Sequence, residues 1–175
     1  MHSVRSKEQG HTLVELCVCM AILAILGVGI ANLMQSGVKV EMIARSQQQQ
    51  QNIAMQLFTT LQNDLAAAKN VTVTANQLSF VNSTNNTNIT YNYTNNSIQR
   101  TTNSKTITYP NPNNTPNLSV SCTNPCFQST NTPITHISLN SLRIVDSNFN
   151  ATDNPGLVFP IQQTTFSVVN GNTFI

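Results

Sequence analysis

Between Leu16 and Val38 the chain runs for 23 residues without a charged side chain. A helix of about 20 apolar residues is enough to cross the hydrocarbon core of a bilayer. The segment therefore reads as a membrane span, and any fold proposed for the rest must accommodate it. Glu15 stands at its very start, in "GHTLVEL". A carboxylate in hydrocarbon is costly and usually marks a function. Either Glu15 snorkels to the membrane edge, or an opposite charge at close range offsets its burial.

The flanks do not orient the span, because Arg5 and Lys7 on one side are balanced by Lys39 and Arg45 on the other. An ordinary secretory signal is cut after its apolar run, and "GIAN" at 29–32 offers a weak site after Ala31. A lipoprotein signal needs a small residue before its cysteine, whereas Leu16 precedes Cys17 and Val18 precedes Cys19. These two cysteines project to different faces of a helix and read as small apolar packers.

Past residue 46 the only charged side chains are Lys69, Arg100, Lys105, Arg143, Asp64, Asp146 and Asp153. Binding nucleic acid requires clustered Lys and Arg to neutralise phosphates, so no direct nucleic-acid site is evident. Polarity comes from Asn, Thr, Ser and Gln instead, a composition suited to an extracytoplasmic surface. No catalytic constellation is present, since His136 is the single histidine beyond the anchor and only three aspartates stand ready to orient it. It reads as a strand histidine. Cys122, Cys126 and His136 make three ligands where zinc takes about four. "DSNFNATDN" at 146–154 resembles the start of a calcium loop at Asp146, Asn148 and Asn150. Ala151 and Leu157 then occupy the glycine and bidentate-acid positions, so the stretch reads as a polar turn. No metal and no cofactor are expected. Cys122 and Cys126, in "CTNPC", can close a small disulfide loop in an oxidising compartment.

Beyond Gly37 the pattern becomes amphipathic. Ile53, Leu57, Leu61 and Leu65 recur every fourth residue, which predicts one helix face. The glutamines at 47–51 read as a solvated stretch of that helix, and Lys69 and Asn70 as its end. Beyond Asn70 the period falls to two. "VTVTA", "QLSFV", "NITYNY", "SIQRT" and "KTITY" predict short strands separated by Asn-rich turns, with "TNNS" at 94–97 as a hairpin turn. Residues 110–133 read mostly as an Asn/Thr/Pro-rich loop with one strand at "LSVSC". "ITHISLNSLRIV", "LVFPI" and "TTFSVVN" suggest further strands. The predicted fold class is α+β, a long N-terminal helix packed on an antiparallel sheet.

The stretch Gly10, His11, Thr12, Leu13, Val14, Glu15, Leu16, followed by the apolar run, resembles the class III signal of type IV prepilins and type II secretion pseudopilins. The usual pattern is G-F-T-L-x-E, and His11 departs from it. The resemblance implies that a prepilin peptidase cuts between Gly10 and His11 on the cytoplasmic face. The new amine is then methylated, and the apolar run remains as anchor and later as filament core. It implies that Glu15 meets the N-terminal amine of a neighbouring subunit during assembly. It also implies some loosening of the helix around Gly27, Gly29 and Gly37. A second resemblance covers 53–101. "LQNDL", the "ITY" of the following strand, and a strand carrying Arg100 are similar to J-type pseudopilins and PilW-like minor pilins.

Together these imply a leader at 1–10, a membrane and filament-core helix at 11–38 and an amphipathic helix at 39–70. A β-rich head at 71–175 follows, with its polar loop at 110–133. The implied function is that of a non-catalytic minor pilin or pseudopilin that primes assembly or caps the tip of a filament. The alternative is a tip adhesin or DNA-uptake subunit using the polar head loops. The implied partners are the prepilin peptidase, other minor and major pilins, and the inner membrane. The implied location is a single pass in the inner membrane with an extracytoplasmic head, then the pilus or pseudopilus. A membrane-anchored enzyme and a soluble secreted protein cut after Ala31 are the readings left behind.

Overall fold

The computed structural model describes residues 13–103, 105–130, 134, 136–159 and 165–168. Its contacts divide the chain into two units, Met1–Met42 and Ile43–Ile175. A single helix, α1 (Leu13–Ala66), contributes to both. In the first unit it runs unbroken through Gly27, Gly29 and Gly37. Every described residue of that unit is exposed.

In the second unit α1 buries Ile53, Ala54, Leu57, Leu61 and Leu65, the stripe predicted from their spacing. They share one core with a five-stranded antiparallel meander. Its strands are β1 (Ala68–Val73), β2 (Gln77–Asn82), β3 (Asn88–Thr94), β4 (Ser97–Thr102) and β5 (Lys105–Tyr109), paired in that order. Alternation directs Leu78, Phe80, Ile89, Tyr91, Ile98 and Tyr109 into the core. The opposite face is mostly polar and uncharged. Thr72, Ser79, Thr90, Thr101 and Thr106 lie in one cross-strand row. The hydroxyls of Thr101 and Thr106 are 3.2 Å apart. Such cross-strand Thr and Ser pairs stabilise a sheet modestly, and on this face hydroxyls outnumber the single charge of Lys69 opposite Val81.

Asparagine makes the turns. Asn95 and Asn96, at φ 48° and 56°, join β3 to β4 as a two-residue hairpin, a conformation that Asn tolerates better than most residues. Two smaller antiparallel sheets complete the unit. One orders β10 (Leu157–Phe159), β9 (Leu142–Asp146) and β6 (Leu118–Ser121). The other orders β11 (Thr165–Ser167), β8 (His136–Leu139) and β7 (Phe127–Thr130). The architecture is α+β, as predicted, but with three sheets in place of one.

Four local readings are corrected. The helix ends at Ala66, not at Lys69–Asn70, and β1 already begins at Ala68. Ala68 is fully buried, and Asn70 at φ 54° sits where the β1–β2 register shifts. A bulge there lets the chain leave the helix directly into the sheet. The loop at 110–133 contains two strands, β6 and β7, since Phe127 is buried in the core; its residues 131–133 lie outside the described residues. "ITHISLNSLRIV" forms two strands in different sheets, separated at Asn140–Ser141. The glutamine stretch is not wholly solvated, because Gln50 is fully buried.

Candidate assembly site

The first unit offers a helix with apolar side chains on all sides. From Leu13 to Met42 its large apolar residues are more than half exposed, and none of its strongest apolar window is buried. A helix that is apolar all round is stable only in lipid or packed among other helices. Gly27, Gly29 and Gly37 have no side-chain neighbour, so the backbone is open to close approach there. Glu15 lies in the first turn of α1 and is exposed. A carboxylate at a helix N-terminus also faces the positive end of the helix dipole. Gly10 and His11 lie outside the described residues. Cys17 and Cys19 are exposed free thiols.

In the second unit, α1 is tied to the sheets by two buried polar clusters. Asp64 accepts from Arg100 Nε at 2.6 Å and from Arg100 Nη2 at 2.9 Å. It also accepts the Tyr91 hydroxyl at 2.6 Å. Tyr91 and Arg100 are register partners on β3 and β4, so one carboxylate on the helix grips two adjacent strands. The bidentate fork is the strongest form of carboxylate recognition. Burial first, and then the neighbouring Asp64 carboxylate, push the Tyr91 phenol above its ordinary value, so it stays a donor. The bonds to Asp64 push the Arg100 guanidinium up as well, against the opposing cost of its burial.

The second cluster centres on Ser46. Its hydroxyl donates to Asp146 Oδ2 at 2.6 Å and accepts from Gln50 Nε2 at 3.3 Å and Asn154 Nδ2 at 3.2 Å. Asp146 also accepts the backbone N–H of Asn148 at 3.0 Å. The polar turn at 146–154 thus closes on α1. Two of the aspartates considered for His136 are committed elsewhere, and His136 itself is exposed at the start of β8.

Cys122 and Cys126 are joined as a disulfide, with Cα atoms 5.1 Å apart. Both are thereby removed as thiolate ligands, and no group of three metal-binding side chains occurs among the described residues. The small loop is a junction. The Cys126 N–H donates to Ala75 O between β1 and β2, Cys126 O accepts from Asn140, and the Thr123 N–H donates to Asn140 O.

Sequence reasoning placed Arg100 and the "LQNDL" and "ITY" patterns side by side without joining them. It did not single out Ser46, Gln50 or Asn154. The one available signal for the first two was their i, i+4 spacing, which is equally common on solvated helix faces.

Residues 5–31 match the prokaryotic N-terminal methylation motif. Residues 40–108 match the family described as putative competence protein ComGF. No curated protein and no solved structure matches the chain. The first match takes in the greater part of the apolar run, and the second ends within β5 and contains Asp64, Tyr91 and Arg100. Proteins with these two signatures are processed by a prepilin peptidase and interact with other pilins. The chain thus carries a type IV prepilin-like methylation motif at the start of its apolar helix and is similar, over 40–108, to a competence pilin family, a combination that supports a structural subunit of the minor pilin or pseudopilin kind.

Proposed function

We propose that this chain is a minor subunit of a type IV filament machine serving DNA uptake, and that it primes assembly or caps the tip without holding DNA itself. The observation that carries the reading is the helix of the first unit, exposed and apolar on all sides. Polymerisation through that helix supplies the burial it lacks in the single chain. On this reading the chain is cut between Gly10 and His11, and Glu15 meets the amine of a neighbouring subunit. The span makes a single pass, the head lies outside the cytoplasmic membrane with Cys122 and Cys126 oxidised, and the subunit then enters the filament.

The competence family match favours uptake over secretion. The head's basic residues favour a structural role over DNA contact. Arg100 is committed to Asp64 and Arg143 donates to the Pro155 carbonyl, so no cluster remains to neutralise a phosphate backbone. A tip adhesin using 110–133 is disfavoured, because much of that region is occupied by β6, β7 and the disulfide loop. The test is deletion in the native host, with natural transformation and surface filaments both counted. Loss of both, restored by the wild-type chain, supports the reading. Undiminished transformation together with undiminished filaments overturns it.

A further inference from the structure

The two edges of the five-stranded sheet are not equivalent. On the β1 side, β7 lies against β1, and the Cys126 and Phe127 N–H groups donate to Ala75 O in the β1–β2 turn. Beside β5 nothing comparable occurs among the described residues. The β3–β4 hairpin sets the alternation. Thr94 and Ser97 close its two-residue turn, so Asn92 pairs by hydrogen bonds with Gln99, and Thr90 with Thr101. Ile98, Arg100 and Thr102 therefore direct their main chain to Tyr109, Ile107 and Lys105. That leaves the N–H and C=O groups of Thr106 and Thr108 pointing outward. Among the described residues their main chain makes no other bond.

Unpaired edge groups are a template for another strand. Next to them lies a cleft of about 300 Å³ between β5 and α1. Ile53, Ile107 and Tyr109 give it apolar surface, Gln49, Asn52 and Gln56 wall it with amides, and no charged side chain lines it. On an added strand, the residue opposite Ile107 would project its side chain to the helix side of the sheet, into this cleft. Its neighbours would face the other way and extend the hydroxyl row that ends at Thr106.

We infer that the outer edge of β5 accepts an extended, uncharged strand from another pilin-type subunit, with an apolar side chain in the cleft and small polar ones on the outer face. The inference rests on reading the chain as a subunit among other pilins. Strand addition draws its strength from main-chain bonds and its selectivity from such a side-chain pocket.

The test uses the full chain in detergent, alone and as purified from native membranes with its co-purifying pilins. Fragment-resolved amide exchange should show Thr106 and Thr108 exchanging freely in the chain alone. In the complex they should exchange at least about tenfold more slowly, with Ile107 slow in both. Proline at both positions (Thr106→Pro with Thr108→Pro) removes only outward donors, which an edge strand tolerates. It should leave thermal unfolding unchanged and cut co-purification about tenfold, while valine at both positions should not. If the proline variant unfolds, the exchange measurement decides alone. A complex that forms with both amides still fast overturns the inference and leaves the subunit reading intact, as does a folded proline variant that co-purifies undiminished. Protection in the chain alone, with the mass of a dimer, overturns it in favour of a second copy. If the wild-type chain brings down no pilin, the subunit reading fails and the inference falls with it.

Discussion

Asp64 carries a large consequence in the head, because its carboxylate is buried and serves two strands. Truncating one member of a buried pair costs more than the pair contributes, since the remaining charge is left desolvated. Arg100→Ala is expected to destabilise the head by about 3 kcal/mol, read as a shifted urea midpoint at constant slope. The Arg100→Ala, Asp64→Ala double variant should recover part of that loss, and strictly additive losses would refute a direct pair. Tyr91 adds a pH signature. Its phenol is raised on folding, mainly by burial. Below the ordinary phenol value of about 10, folded and unfolded chains are both protonated and this group adds no pH dependence. Above it the unfolded chain releases the proton first, so stability falls as pH rises. Tyr91→Phe should cost about 2 kcal/mol at neutral pH and flatten that alkaline loss. Urea midpoints between pH 8 and 11 that decline equally in both proteins would count against it.

At the scale of elements, the meander was legible because two cues agreed, with period-two alternation giving β2 to β5 and Asn clusters giving the turns between them. Where one cue was missing, the reading slipped. Ala66, Ala67 and Ala68 are good helix formers and carry no stop signal, yet Ala68 is buried in β1. β7 is a short strand in an Asn/Thr/Pro-rich stretch, and only tertiary burial of Phe127 distinguishes it from loop. The polar anchors were hidden for another reason. Tyr91 and Arg100 lie 27 and 36 residues from Asp64, and residue type alone does not say which polar groups will meet. The spacing of Cys122 and Cys126 suggested a small loop, but its place between Ala75 and Asn140 was not legible. Closing so short a loop contributes about 2 kcal/mol by chain entropy. Cys122→Ser with Cys126→Ser should lower stability by about that amount. It should also raise amide exchange at Cys126 and Asn140, while the Asp64 cluster stays protected. A uniform rise over the whole sheet would show that the loop holds more than its own junction.

For the whole molecule, assembly begins with processing. Gly10→Val is expected to leave a full-length, membrane-bound precursor, and normal cleavage of that variant would rule out the class III reading. On the proposed reading, Glu15 then decides whether a processed subunit is incorporated. No described residue before Ser46 is buried, so the head's core owes nothing to Glu15, and Glu15→Gln should leave export and the urea midpoint unchanged. If the carboxylate pairs with a neighbouring subunit's amine, the amide keeps its shape and removes its charge. The neighbour's ammonium would then sit unmatched in a medium of low dielectric, a cost of several kcal/mol. Incorporation should fall by at least about tenfold, read as co-purification with the other pilins. Because a minor subunit is scarce, the filament count should fall with it, while the filaments that form keep their ordinary thickness. Glu15→Asp retains the charge on a shorter side chain and should give an intermediate count. A snorkelling acid at the membrane edge predicts the opposite order, with Gln tolerated as well as Asp because neither needs a partner. Wild-type assembly by Glu15→Gln would therefore remove the charge pair from the mechanism and leave helix packing alone to drive incorporation.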